Sequence, residues 1–345
     1  MALFPSTTSP VGYKSHLRGP ITKFIYAPLI SLLPHSYKKL QPHQKSYWNT
    51  NLQLKMSSSI IASAGTEAVG EIGVHDSRCV EEKDLLIVGP GVLGRLVAES
   101  WKKENPSCRV VGQTRSTDHH QELQNLGIKP CLKGTQTSER FPFVIFCAPP
   151  SGSGDYPDDV RAATLQWNGE GSFLFTSSSA VYACNDNGLC VEDSPAMPIG
   201  SSPRTDVLLK AENEVLKVGG NVVRLAGLYT FDRGAHLYCL EKGTIEARPD
   251  HILNLIHYED AASLCISILK GKFERQVFMG CDNHPLSRKD LMDYVNKSGK
   301  FEKKFHGFTG VDGPLGKRMD NTNTRVKTGW EPKYPSFVQV LGISE

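Results

Sequence analysis

The stretch Asp84-Leu85-Leu86-Ile87-Val88-Gly89-Pro90-Gly91-Val92-Leu93-Gly94-Arg95-Leu96 constrains this chain more than any other. Leu85 to Val88 is a short apolar run that stops at a glycine, so it reads as a buried strand. Gly89, Gly91 and Gly94 make a G-x-G-x-x-G pattern, and Leu93, Leu96, Val97 and Trp101 then recur at helical spacing. Strand, glycine turn and helix in that order are the setting a dinucleotide-binding turn requires. Each glycine has its own task there. Gly89 permits the tight turn, Gly91 lets a pyrophosphate approach the main chain, and Gly94 lets the helix pack on the strand. The helix start at Val92 and Leu93 faces the anion with free amides. The competing reading is a glycine turn that only packs.

Beyond Lys83 strands and helices alternate. Arg109–Gly112 reads as a strand ending near Gln113-Thr114-Arg115, and Gln121–Leu126 as a short helix. Phe143–Ala148 is a continuous apolar run, hence a strand buried on both faces. A helix is expected over Asp159–Trp167, a strand over Ser172–Thr176, a helix over Arg204–Val218 and a strand over Asn221–Leu225. This rhythm predicts an α/β fold, a Rossmann-type doubly wound parallel sheet spanning 84–345. The last third is mixed: a helix over Glu259–Leu269, a strand over Gln276–Gly280, and a helix opened by Ser287 with Asp290 three residues on. It predicts a small C-terminal substrate lobe drawn mainly from 230–345.

Charge is informative only when the chain is split. The first acidic residue is Glu67, and residues 1–66 hold seven Lys or Arg. The remainder has 32 basic against 36 acidic residues, so the formal net charge of +3 becomes −4 without that stretch. The basic balance therefore belongs to the leader and gives no support to a nucleic-acid surface. An acid-free, Ser-rich, basic leader reads as an organelle transit peptide over 1–66, followed by a linker over 67–83. Its basic residues are nearly all Lys, which favours a chloroplast (stroma) over the alternative, a mitochondrion. The longest apolar stretch near the start, Phe24–Leu33, is interrupted by Pro28 and is too short to span a bilayer.

The nine cysteines show no C-x-x-C and no zinc spacing, so no metal site is expected. Cys108, Cys131, Cys147, Cys239 and Cys265 lie in or beside apolar runs and read as small core residues. Cys184 and Cys190 flank an Asn-Asp-Asn-Gly loop, where either two free thiols or a redox-switched disulfide is conceivable.

Four stretches together resemble the extended short-chain dehydrogenase/reductase superfamily, also called the NAD-dependent epimerase/dehydratase family. They are Gly89–Gly94, Thr176-Ser-Ser-Ser-Ala-Val-Tyr182, Arg224-Leu-Ala-Gly-Leu-Tyr229 and Asn254-Leu-Ile-His-Tyr-Glu-Asp260. The tail Thr328-Gly-Trp-Glu-Pro-Lys-Tyr334 resembles the family's C-terminal Gly-Trp-x-Pro stretch. The pattern is similar to an atypical subgroup that includes the bacterial YeeZ-like proteins.

The resemblance implies roles for particular residues. A hydroxyl at the end of the fifth strand, Ser178 with Ser179 as the alternative, would bond the reacting oxygen. The family's Tyr-x-x-x-Lys places its Lys at Lys210, which would hold the nicotinamide ribose, but its Tyr position holds Asp206. Asp beside Lys⁺ stays ionised and is a poor base. An ordinary Asp206–Lys210 surface pair is the competing reading. Tyr182 could supply a phenol, although its family role is packing. Tyr229 and His257 are either pocket-wall or packing residues.

Ala148 and Pro149 would line the adenine and ribose. No acid ends the second strand, and Arg115 can pair with a 2′-phosphate, so NADP is favoured, with NAD as the alternative. The leading reading is an oxidoreductase or epimerase/dehydratase-like enzyme acting on a small carbonyl or sugar-like molecule. The alternative is a non-catalytic NADP(H)-binding sensor or scaffold. The apolar faces Val160-Ala163-Trp167 and Val207-Ala211-Val215 would permit a homodimer, and core packing explains them equally well.

Overall fold

Four consecutive buried residues, Leu85–Val88, form β1, the centre of a parallel sheet. The structure, a computed structural model, describes residues 80–135 and 139–343, all within one compact unit. The leader expected over 1–66 and the linker up to residue 79 lie outside the described residues.

The chain runs β1, α1 (Val92–Glu104), β2 (Val110–Thr114), α2 (His120–Asn125), β3 (Lys129–Leu132), β4 (Phe141–Phe146), α3 (Tyr156–Thr164) and β5 (Trp167–Ser178). It continues through β6 (Asp186–Cys190), α4 (Pro203–Lys217) and β7 (Asn221–Leu225). The main sheet has seven strands in the order Val277–Gly280, β7, β5, β4, β1, β2, β3. Every pairing in it is parallel, with Leu85 opposite both Val110 and Phe143. The chain leaves β1 toward β2 and β3, then returns to β4 on the other side. The strand order therefore reverses between β1 and β4, and the carboxyl ends flanking that point are where such sheets hold ligands. The α/β doubly wound architecture is thus the expected one.

An edge strand and a shifted helix are among the elements that differ from expectation. The strand Lys129–Leu132 has no apolar run: it is an edge strand carrying Pro130, with both of its ends exposed. The helix expected over Asp159–Trp167 instead spans Tyr156–Thr164. Asp155 caps it by accepting from the Asp158 amide at 3.0 Å, and Pro157 occupies its first turn. Trp167 already belongs to β5, opposite Phe141, and its indole donates to the Pro142 carbonyl at 3.1 Å. A tryptophan packing back on the sheet had the spacing of a third helical position.

The faces that would have permitted a homodimer are used within the chain. Val160, Ala163, Ala211 and Val215 are fully buried with Phe173 and Phe175 where α3 and α4 cover the sheet.

A second core lies in the last third. Tyr229, Leu240, Leu286, Leu291, Val295 and Phe337 pack together. A small side sheet runs beside it in the order Leu286–Ser287, Ile252–Leu253, Gly316–Met319, β6. Ser287 caps its helix as expected: its Oγ accepts from the Asp290 amide at 3.0 Å, and it donates to the Asp290 carboxylate at 2.5 Å in place of the backbone bond that would complete a capping box. Tyr229 and His257 pack edge to face, with ring centroids 5.4 Å apart, and Tyr229 packs on Phe337 from its other side.

Asp282 is buried in the same region. Its Oδ1 accepts from the His284 amide at 2.9 Å, while its Oδ2 and the Tyr229 hydroxyl have no hydrogen-bond partner among the described residues. Burial pushes the Asp282 carboxyl up to about 8. Folding therefore favours the protonated form. That contribution is complete below the unfolded value near 4 and is lost as pH rises through about 8. Thermal unfolding should show Tm falling between pH 5 and 9. Asp282→Asn keeps the acceptor for His284, so its curve should be flatter; equal slopes would contradict the assignment.

Candidate functional site

The glycine turn follows from the sheet beneath it. The Gly89 amide donates to the Gln113 carbonyl at 2.9 Å, and the Cys147 amide donates to the Val88 carbonyl at 2.8 Å. The ends of β1, β2 and β4 are thereby laced together. Gly89 has φ of +80°, and a Cβ there would sit 2.6 Å from the backbone N and Cα of Ala148. At Gly94 a Cβ would meet the Ile87 side chain at 2.9 Å and the Gly89 carbonyl at 3.3 Å. Both positions exclude a side chain for reasons internal to the fold. Gly91 is different: a Cβ there would meet nothing within 4 Å. The empty side of the turn is the side that faces out.

Gly91 is also the N-cap of α1. No side chain caps this helix, and its first turn carries no acid. Its unsatisfied amides and the positive end of its dipole suit an anion. Val92 is partly exposed here, whereas Leu93 points into the core with Val97, Ala98 and Trp101.

Three further segments stand at the carboxyl edge. Arg115, just past β2, donates from Nη1 to the Ser151 carbonyl at 2.8 Å. It thereby ties the end of β2 to the loop after β4, beside Ala148 and Pro149. The Ala148 carbonyl accepts from the Tyr156 hydroxyl at 2.7 Å. Asp159 accepts from Ser153 Oγ at 2.8 Å and pairs with Lys133 at 2.5 Å, which holds the same loop from the far side. These contacts fix the loop before any ligand arrives.

Lys210 is exposed on α4 and lines an open recess of about 390 Å³ with Pro150, Ser153, Asp155 and Val207. The Asp206–Lys210 surface pair does not occur among the described residues. Both carboxylate oxygens of Asp206 instead accept from the Gly200 amide at 3.0 Å. Asp206 is thus bound to the loop leading into α4, while Lys210 is left facing the recess.

Ser178 ends β5 and is half-buried. Its Oγ accepts from the Ala180 amide at 3.2 Å, capping the short turn Ser179–Val181. Tyr182 is fully buried, and its hydroxyl donates to the Glu192 carbonyl at 3.1 Å. Burial raises its phenol well above the ordinary range.

Sequence reasoning missed the charged groups behind this segment. Arg224, on β7 opposite Ser177, donates from Nη2 to Glu212 Oε2 at 2.7 Å and from Nε to Oε1 at 3.1 Å. Its guanidinium lies 4.7 Å from the Tyr182 ring centroid. Ser177 Oγ donates to Glu212 at 2.5 Å. Lys317 donates to the carbonyls of Ser179 and Tyr182, both at 3.0 Å. A lysine at alternating positions in a short strand carries no such signal in sequence. Glu212, two residues after Lys210 and on the helix face with Leu208, Leu209 and Val215, was detectable as a charge on an apolar face.

Among the described residues no three His, Cys, Asp or Glu side chains are grouped to hold a metal ion. No helix among them is long and apolar enough to cross a membrane.

No family model and no curated protein sequence matches the chain. Solved structures do match. A conserved protein of unknown function from Silicibacter pomeroyi superposes with TM-score 0.61 at 21% identity, over 75% of this chain and 96% of that one. A dTDP-glucose 4,6-dehydratase from Bacillus anthracis, solved with NAD, gives 0.61 at 14% over 75% and 94%. A UDP-glucuronic acid 4-epimerase from Bacillus cereus, solved with UDP-glucuronic acid and NAD, gives 0.61 at 15% over 75% and 96%. At these identities the likeness establishes a shared fold.

Proposed function

We propose, for a chain that shares its fold with nucleotide-sugar dehydratases and epimerases, that the carboxyl edge of the sheet binds a nicotinamide dinucleotide, NADP in preference to NAD. The observation that carries this is the contrast within the glycine turn: Gly89 and Gly94 are jammed by the fold itself, and Gly91 borders open space. A turn that only packed would have no use for the third glycine. The amides around Gly91, Val92 and Leu93 receive the pyrophosphate. Ala148 and Pro149 line the adenine side, and Arg115, already drawn across to Ser151, faces the 2′-phosphate of the adenosine ribose. Lys210, unpaired with Asp206, holds the nicotinamide ribose from the recess. When bound, the nicotinamide supplies a hydride acceptor or donor, and Ser178 orients the carbonyl or hydroxyl that exchanges it.

The missing phenol limits the chemistry. Asp206 stands where the phenol would be, and its carboxylate is bound to the Gly200 amide. An enzyme reading therefore needs its substrate, a small carbonyl or sugar-like molecule, to bring or borrow a proton from solvent. The second reading, a non-catalytic NADP(H) sensor, is favoured by that same engagement of Asp206. Turnover separates the two: oxidation of bound NADPH by a carbonyl panel, or interconversion of a nucleotide sugar, supports the enzyme. Tight binding with no turnover supports the sensor. A plastid address for residues 1–66 belongs to this reading and is tested by localising a fluorescent fusion of that segment.

Arg115→Ala should raise the Kd for NADPH about tenfold and leave that for NADH nearly unchanged. That is the loss of one ion-pair hydrogen bond of about 1.5 kcal/mol. Calorimetric titration of both nucleotides checks it, and equal losses for the two would remove Arg115 from the 2′-site.

A further inference from the structure

Cys184 lies just before β6 and Cys190 at its end, and the fold brings the Cys184 sulfur back to the main chain beside Cys190. Cys184 Sγ is 4.0 Å from the carbonyl of Leu189, the residue before Cys190. The turn between them is set by Asn187 at φ of +67° and by Gly188, whose amide donates to Asp186 at 3.1 Å. β6 is then fixed by its pairing to Gly316–Met319. Cys184 is half-buried and reachable, whereas Cys190 is fully buried. Lys317, on the strand that pairs with β6, donates to the carbonyls of Ser179 and Tyr182. Thiol–disulfide exchange starts at the sulfur an external disulfide can reach, and here that is the half-buried Cys184.

We propose that Cys184 and Cys190 are a redox-active dithiol that closes to an intramolecular disulfide, and that Lys317 passes the change to the segment after Ser178. The oxidant is a disulfide, either a small molecule or a thioredoxin-type protein. The Cys184 thiolate attacks one of its sulfurs, forming a mixed disulfide and releasing one thiol. The Cys190 thiolate, its proton gone to solvent or to the departing thiolate, then attacks the Cys184 sulfur and releases the second thiol. Two protein thiols are oxidised, and the external disulfide is reduced to two thiols.

Burial and the adjacent Cys184 push the Cys190 thiol up to about 11, which fits a resolving rather than an attacking sulfur. Closing the disulfide acts on β6, and Lys317, on the strand paired with β6, carries the change to the Ser179 and Tyr182 carbonyls. This assignment stands apart from the nucleotide proposal.

Its test needs no nucleotide. The intact chain is equilibrated with mixtures of reduced and oxidised glutathione, alkylated, digested and mapped by mass. The expected result is a Cys184–Cys190 cross-link that forms and reverses with the glutathione ratio. Cys190→Ser should instead accumulate glutathione on Cys184. Hydrogen exchange at residues 179–183 should differ between the oxidised and reduced wild-type protein, and Lys317→Met should shrink that difference at least twofold. Alkylation of both cysteines throughout the titration, or a stable glutathione adduct on Cys184 with Cys190 present, would overturn the dithiol. A cross-link with unchanged exchange at 179–183 would overturn the role of Lys317.

Discussion

Gly91→Asp should abolish nucleotide binding while leaving the fold intact. The new side chain leaves the turn into open space, since a Cβ at this position has no neighbour within 4 Å. Nothing inside the protein must move, so Tm should stay within about 2 °C of wild type, the range of an uncomplicated surface substitution. The loss falls entirely on the ligand. A carboxylate at the N-cap occupies the diphosphate's position, takes up the helix-start amides and repels the anion. Amide contacts to an ion contribute about 1.5–3 kcal/mol each, so the expected loss is at least a hundredfold in Kd.

Gly89→Ala is the matched control, with the opposite signature. Its φ of +80° costs an L-residue about 1–2 kcal/mol, and its Cβ would overlap the Ala148 backbone at 2.6 Å. That variant should lose stability first and affinity only as a consequence. Urea unfolding and calorimetry on the two variants distinguish them. A Gly91→Asp protein that still binds either nucleotide at wild-type strength would end the dinucleotide proposal, for the enzyme and the sensor alike.

These two glycines also mark where the sequence was legible. β1, α1, β7 and α4 were readable because runs of buried residues and a 3.6-residue period are imposed by the core. The edge strand β3 was not, because half of it faces solvent and its second residue is proline. The turn after β1 was readable because only glycine satisfies a positive φ beside a crossing backbone. Which partner Asp206 takes was not: the spacing to Lys210 suggested a helix-surface pair, and the Gly200 amide took both oxygens. Tyr182 was ambiguous for a similar reason. Its neighbours Arg224 and Lys317 come from distant parts of the chain, and no local pattern brings them to it.

The buried pair behind Ser177 should prove to be the most fragile point of the sheet. Glu212 and Arg224 keep only 3% and 9% of their side chains exposed, and they satisfy each other through Nε and Nη2. Two charges removed from water roughly break even when paired, but one left alone does not. Glu212→Gln keeps the volume and removes the charge, so Arg224 is stranded between β5, β7 and the Tyr182 ring. The expected cost is about 3–5 kcal/mol, or a fall in Tm of roughly 10 °C.

The double variant Glu212→Leu with Arg224→Met replaces the pair with apolar atoms of similar size and should recover most of that stability. If the pair serves only stability, the double variant should also bind nucleotide normally. If it holds Ser177 and Tyr182 in register beside Ser178, stability should return and affinity should not. Urea midpoints at unchanged m-value give the first answer and calorimetry the second. A Glu212→Gln protein within about 1 kcal/mol of wild type would mean that Arg224 finds another acceptor once Glu212 is neutral.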